Sequence, residues 1–154
     1  MMLSTFVALA SLALAQQPAA TAASVEQEVR TLEQNYNAAY AANDLPTYFS
    51  YLAPDFIQWL GSGRTDLTKY KEDWTKTIQG GSRVQVAEIS DLVIKVGPSL
   101  DTAVASYLLH VKMKAADGKE SDSTYQESDV LFKRGGAWKV VYLHYSAVRP
   151  RRAE

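Results

Sequence analysis

From Ser24 onward, apolar side chains recur at the spacing of a helix: Val25, Val29, Leu32, Tyr36, Ala39 and Tyr40 fall on one face. Ser24 with Gln27 three residues later matches a capping box, so the pattern predicts a first helix over about Val25 to Ala42. Asn43-Asp44 breaks it, and Asp44 can cap a second short helix with the stripe Leu45, Tyr48, Phe49 and Leu52, stopped by Pro54. Asp55 to Leu60 reads as a strand and Gly61-Ser62-Gly63 as a turn. Thr65 or Asp66 then caps a third helix carrying Leu67, Tyr70, Trp74 and Ile78, which Gly80-Gly81 ends.

Beyond that point the pattern is that of strands: Arg83 to Val96, Thr102 to Ala115, Glu120 to Lys133 and Trp138 to Val148, separated by Gly97-Pro98, Asp117-Gly118 and Gly135-Gly136. Consecutive long strands joined by tight turns predict an antiparallel meander. Helices grouped before such a sheet predict an α+β domain, with a pocket between helices and sheet.

The chain has 154 residues, enough for one domain with one core, and its 47% hydrophobic and 21% charged residues are those of a globular protein. A formal net charge of -1 gives no attraction for nucleic acid. The one basic cluster, Arg149, Arg151 and Arg152, reads as a solvated tail at 149–154. Before Glu26 there is no charged side chain; Leu3 to Ala15 is a short apolar run ending in Ala13-Leu14-Ala15, the pattern of a secretory signal peptide over residues 1–15, followed by a linker at 16–24. Export to the periplasm or the medium is therefore expected, without stable membrane insertion, because the run is too short to span a bilayer. With no cysteine, the chain can form neither a disulfide nor a thiolate metal site.

Two segments carry a resemblance. One is Tyr36-Asn37-Ala38-Ala39-Tyr40-Ala41-Ala42-Asn43-Asp44-Leu45 with Leu52-Ala53-Pro54-Asp55-Phe56; the other is Gly136-Ala137-Trp138-Lys139-Val140-Val141-Tyr142-Leu143-His144-Tyr145-Ser146, preceded by the strand of Glu127, Ser128 and Asp129. Together they resemble the nuclear transport factor 2-like superfamily, notably its SnoaL-like, ketosteroid-isomerase-like and calmodulin-kinase association-domain-like members, over essentially Val25 to Val148. The resemblance implies a cystatin-like, cone-shaped α+β barrel with N-terminal helices packed on a curved antiparallel sheet, a pocket at its open end, and a homodimer formed through the sheet. It implies little about activity, since one fold hosts many chemistries.

Similarity to ketosteroid isomerases places Tyr36 on a catalytic tyrosine and Asp129 near a hydrogen-bond-donating aspartic acid, together an oxyanion hole. The handling of charge there, a carboxylic acid kept neutral by an apolar site, is well understood for ketosteroid isomerase itself. The position matching that family's carboxylate base is Leu60, which cannot accept a proton; Asp55, Glu127 or a histidine would have to substitute. Tyr36 reads equally as a core tyrosine on the buried stripe, and Asp129 as an exposed strand carboxylate beside Lys133 or Lys139. The ligand wall is expected from Tyr40, Trp59, Trp74, Tyr107, Leu109, Leu143 and Tyr145, with Tyr48, Tyr51 and Tyr70 as further aromatic candidates.

His144 and Ser146 suggest a hydrolase only weakly, because a strand spacing of two supplies neither base orientation nor an oxyanion hole. His110 reads as a partly buried or interface residue. Two distant histidines without cysteine or an HExxH pattern make no metal site, and nothing in the sequence asks for a cofactor. The expected partner is a small, mostly apolar molecule, bound with isomerase- or lyase-type acid-base activity or, alternatively, by a non-catalytic binding or oligomerisation module.

Overall fold

The computed structural model describes residues 20–148. The expected signal peptide, most of the linker and the arginine tail lie outside them. Three helices, α1 (Ala22–Ala41), α2 (Leu45–Ser50) and α3 (Leu67–Gln79), are joined to six strands: β1 (Leu52–Leu60), β2 (Gly63–Asp66), β3 (Arg83–Val96), β4 (Thr102–Lys114), β5 (Glu120–Arg134) and β6 (Ala137–Ala147). Helix α1 starts one turn earlier than the apolar stripe suggests, because Thr21 is the N-cap and Ser24 its reciprocal partner at the third helical position. Asp44 caps α2 and Asp66 caps α3, each accepting from the backbone N–H three residues on.

The long strands form the expected meander, β6-β5-β4-β3, and β1 and β2 extend it to a six-stranded sheet in the order β2-β1-β6-β5-β4-β3. Two expectations fail. The sheet is mixed rather than antiparallel, since β1 runs parallel to β6. It is also open rather than closed into a cone-shaped barrel, with β2 and β3 as its two edges. Strand β2 stops at four residues because Asp66 ends it as the cap of α3. The edge of β3 is engaged elsewhere: at Val84 its backbone N–H and carbonyl bond the side-chain amide of Asn43, both at 2.9 Å. A side chain thus takes the place that barrel closure would give to a strand.

Asn43 suits this place because it has φ 56°, the left-handed turn that ends α1. Its N–H bonds the Tyr40 carbonyl and the N–H of Asp44 bonds that of Ala39, closing the helix while its amide pins the helix end to the sheet. At the other end of α1, Glu28 accepts from Lys133 (2.6 Å) and from the Trp138 indole (2.7 Å), tying the helix to the β5–β6 hairpin.

Between these two anchors the inner faces of α1, β4, β5 and β6 make the core, with Val25, Val29, Leu131 and Val140 fully buried. Asn43→Ala should destabilise the fold by about 2 kcal/mol, through two lost hydrogen bonds and a left-handed residue without a local partner. Asn43→Gly should cost less, because it keeps the turn. Urea unfolding of the two variants measures the difference.

Candidate functional site

One cavity of about 490 Å³ lies between the helices and the inner face of the sheet. Helix α1 supplies Tyr36 and Tyr40, α2 Tyr48, and α3 Tyr70 and Trp74, while the sheet supplies Gln58, Leu109, Glu127, Leu143 and Tyr145. Alternation puts these sheet residues inward: on β5, Tyr125, Glu127, Asp129 and Leu131 share the inner face, whereas Ser128 meets Ser106 on the other at 3.0 Å.

The helical wall is a block of aromatic rings. Tyr36 stacks on Tyr48 with ring centres 4.7 Å apart, and Tyr40 on Trp74 at 5.4 Å. Their hydroxyls make a chain: Tyr36 donates to Tyr48 at 2.9 Å, and the hydroxyls of Tyr48 and Tyr70 are 2.6 Å apart. Each phenol has one proton, so a chain of three has one proton to offer at an end. Burial first, and then the negative groups nearby, hold the Tyr36 phenol well above its ordinary range; it stays a donor.

The sheet wall is acidic. The Tyr107 hydroxyl lies 2.7 Å from Glu127 Oε1 and 2.9 Å from Asp129 Oδ2, and Asn37 donates to it at 3.3 Å. One hydroxyl proton cannot serve two carboxylates. A second proton must sit on a carboxyl, and Asp129 is the holder: fully buried, beside Glu33 and Glu127, it is pushed well above the ordinary range. The order is therefore Asp129 donating to Tyr107 and Tyr107 donating to Glu127.

Burial raises Glu127 to about 7 against the Tyr107 bond that lowers it, and Glu127 alone of the three carboxyls reaches the cavity. Glu33 is fully buried behind, near enough to Asp129 and Tyr107 to act on them yet without a hydrogen bond of ordinary geometry. Burial, then the charge of Glu127, raises it to about 8.

Of the residues expected at the site, Tyr36, Tyr40, Trp74, Leu109, Leu143 and Tyr145 line the cavity. Tyr107 and Asp129 do not; they are buried behind Glu127, linked to it through the Tyr107 hydroxyl. Trp59 points the other way: it is 44% exposed, paired in register with His144 on the outer face. Tyr51 packs edge-on against Tyr36 without reaching the cavity.

The substitutes considered for a base at Leu60 separate cleanly. Leu60 itself lines the cavity; Asp55 is exposed and bound to Arg134 at 2.7 Å. His110 bonds Asp122 at 2.8 Å, and His144 and Ser146 are exposed. Only Glu127 of this group stands on the cavity wall. Glu33 was invisible to pattern reading, because a glutamate between Leu32 and Tyr36 on an amphipathic helix reads as a solvated position. Gln58, alternating with Phe56 on a buried strand, gave a signal that the strand pattern could have caught.

Between their ordinary values and the raised ones, the three carboxyls hold protons in the folded state that the unfolded chain has lost. The folded state therefore binds more protons, and its stability falls as pH rises from about 4.5 through about 8. Glu33→Gln should flatten that fall and raise stability above pH 8 by on the order of 1 kcal/mol. Denaturant titrations across the pH range check it.

Comparison with known proteins agrees with the geometry. An NTF2-like protein from Cytophaga hutchinsonii is similar, with a TM-score of 0.70 at 20% identity over 80% of this chain and 98% of that one. The association domain of C. elegans CaMKII (TM-score 0.65, 18% identity, 79% and 94% covered) and a protein with a cystatin-like fold from Caulobacter vibrioides (0.64, 15%, 81% and 90%) share the same fold. No curated protein matches the chain. A family model described as a SnoaL-like domain matches residues 29–150, which takes in both the helical and the acidic wall of the cavity: the chain belongs to the SnoaL-like family, on the NTF2-like fold.

Proposed function

We propose that the protein binds a small, mostly apolar molecule in the cavity and moves a proton on it, in the manner of an isomerase or lyase. The observation that carries this reading is Glu127: a carboxyl on the cavity wall, held by burial near neutrality and steadied from behind by Tyr107 and protonated Asp129. Such a group is ionised often enough to take a proton and basic enough to hold it. Across the cavity, the Tyr36–Tyr48–Tyr70 chain supplies a proton donor to an oxygen on which negative charge develops.

In this arrangement a proton passes from a substrate carbon to Glu127 while the oxygen of the adjoining carbonyl receives a hydrogen bond from a tyrosine. The proton returns from Glu127 to a neighbouring carbon or to the same one. Asp129 is a positioning residue: it orients Tyr107, which orients Glu127. The apolar run Leu3 to Ala15, read as a signal peptide, supports an exported setting for this activity.

The reading is tested by proton exchange. Hydrogen–deuterium exchange of a panel of apolar, enolisable ketones in heavy water, followed by proton NMR, should be accelerated by the protein, with a rate that rises with pH through about 7 as Glu127 ionises. Glu127→Gln should lower the exchange rate by about 10² or more and Tyr36→Phe by about tenfold or more. Ketones that bind but exchange no faster than in buffer would leave a non-catalytic binding module.

A further inference from the structure

The buried polar atoms left unanswered in the cavity and in the cluster behind it are all oxygens. Among the described residues, the buried side-chain atoms without a hydrogen-bond partner are Glu33 Oε1 and Oε2, Gln58 Oε1 and Asp129 Oδ1. Of these, Gln58 Oε1 is an acceptor whatever the pH, and the carboxyl oxygens accept wherever they carry no proton. Gln58 is 2% exposed, lines the cavity, and has this oxygen unanswered by any described protein group. A buried acceptor without a donor is costly, and a ligand that brings N–H groups removes the cost.

Charge points the same way. Three carboxyls are buried together without a cation among the described residues to balance them. The cations that line the cavity, Arg64 and Lys69, are exposed at its mouth, and Lys69 is paired with Asp73. An anionic ligand would meet Glu127 unscreened.

The walls add a third, independent feature. The Tyr40–Trp74 stack, and the Tyr125–Tyr145 pair packed edge-to-face with ring centres 5.1 Å apart, line the cavity that holds the carboxyl with aromatic rings, whose faces are electron-rich. Aromatic faces beside a desolvated carboxylate attract organic cations.

We propose that the ligand is an organic amine in its protonated form, its ammonium group seated against the Glu127 carboxylate and the Gln58 carbonyl oxygen, and its apolar body among the aromatic rings. The inference rests on the reading of this cavity as a ligand site and narrows its ligand class. Both roles need that carboxyl ionised.

Binding of the cation should tighten as pH rises, since a carboxylate that must lose its proton to pair with an ammonium does so more readily above its own range. The groups facing Glu127 are Glu33, Tyr36 and Tyr40 from α1, Tyr70 from α3, Tyr107 from β4, Tyr125 and Asp129 on β5, and Tyr145 from β6; none is a cation. Among the described residues no positive neighbour keeps Glu127 ionised without the ligand.

The test uses two fluorescent probes of one shape, 1-naphthylmethylamine and its neutral counterpart 1-naphthylmethanol, titrated against the intact protein. The amine should bind about tenfold tighter than the alcohol at about pH 7.5, gain affinity between about pH 5.5 and 8, and lose its preference in Glu127→Gln. An alcohol that binds as tightly as the amine overturns the ammonium site while leaving the cavity a ligand site. Failure of both probes to bind overturns the two readings together. A preference for the amine that survives in folded Glu127→Gln overturns the seat at Glu127.

Discussion

The burial of three carboxyls around one tyrosine hydroxyl governs this molecule. Glu33 comes from α1 and Glu127 and Asp129 from the inner face of β5, and among the described residues no cation is buried with them. Desolvation penalises each charge, and the charges penalise one another, so the cluster must hold protons. Position separates them: Asp129 is sealed in and pushed well above the ordinary carboxyl range, whereas Glu127 reaches the cavity and is raised to about 7. An apolar cluster of the same volume would pack as well and do nothing. The cost in stability is carried by the two anchors of α1, at Asn43 and at Glu28, which press the helix onto the sheet.

The open sheet serves the same end. Had β2 and β3 paired, the sheet alone would enclose the interior. Instead the helices complete the enclosure, and the cavity has two unlike walls: a helical wall of phenols linked by hydrogen bonds, and a sheet wall of carboxyls and apolar side chains. Phenol hydroxyls and a carboxyl thus line one space of about 490 Å³. Separation across a cavity, rather than direct contact, keeps a phenol and a carboxylate from neutralising each other's use.

The helices, the four-stranded meander and the α+β class were legible because period and turn residues agree along the chain: the caps Asp44 and Asp66 and the hairpin turns Asp117-Gly118 and Gly135-Gly136 all stand where the pattern puts them. Closure of the sheet was not legible. It depends on how the two edge strands lie in the folded chain, and at Val84 the edge of β3 is bonded by the side chain of Asn43, more than forty residues away in the chain. The aromatic wall could be read from helical stripes, whereas Trp59 could not be placed, since a strand with Phe56, Gln58 and Trp59 leaves its inner face ambiguous until a register is set. Glu33 and the role of Tyr107 were hidden for the same reason: proximity between α1 and β5 is a tertiary fact, and a glutamate carries no mark of burial in its own neighbourhood.

The central claim is that Glu127 sits on the cavity wall as a carboxyl poised near neutrality. Its titration can be followed directly by carbon-13 NMR of the side-chain carboxyl in protein labelled at glutamate, assigned by Glu127→Gln. A midpoint near 7 is the predicted result, with a second, linked inflection as Glu33 titrates near 8. A midpoint at the ordinary value of about 4.5 would contradict the account, because it would mean that the carboxyl is solvated or balanced by a cation and that the cluster as described does not exist.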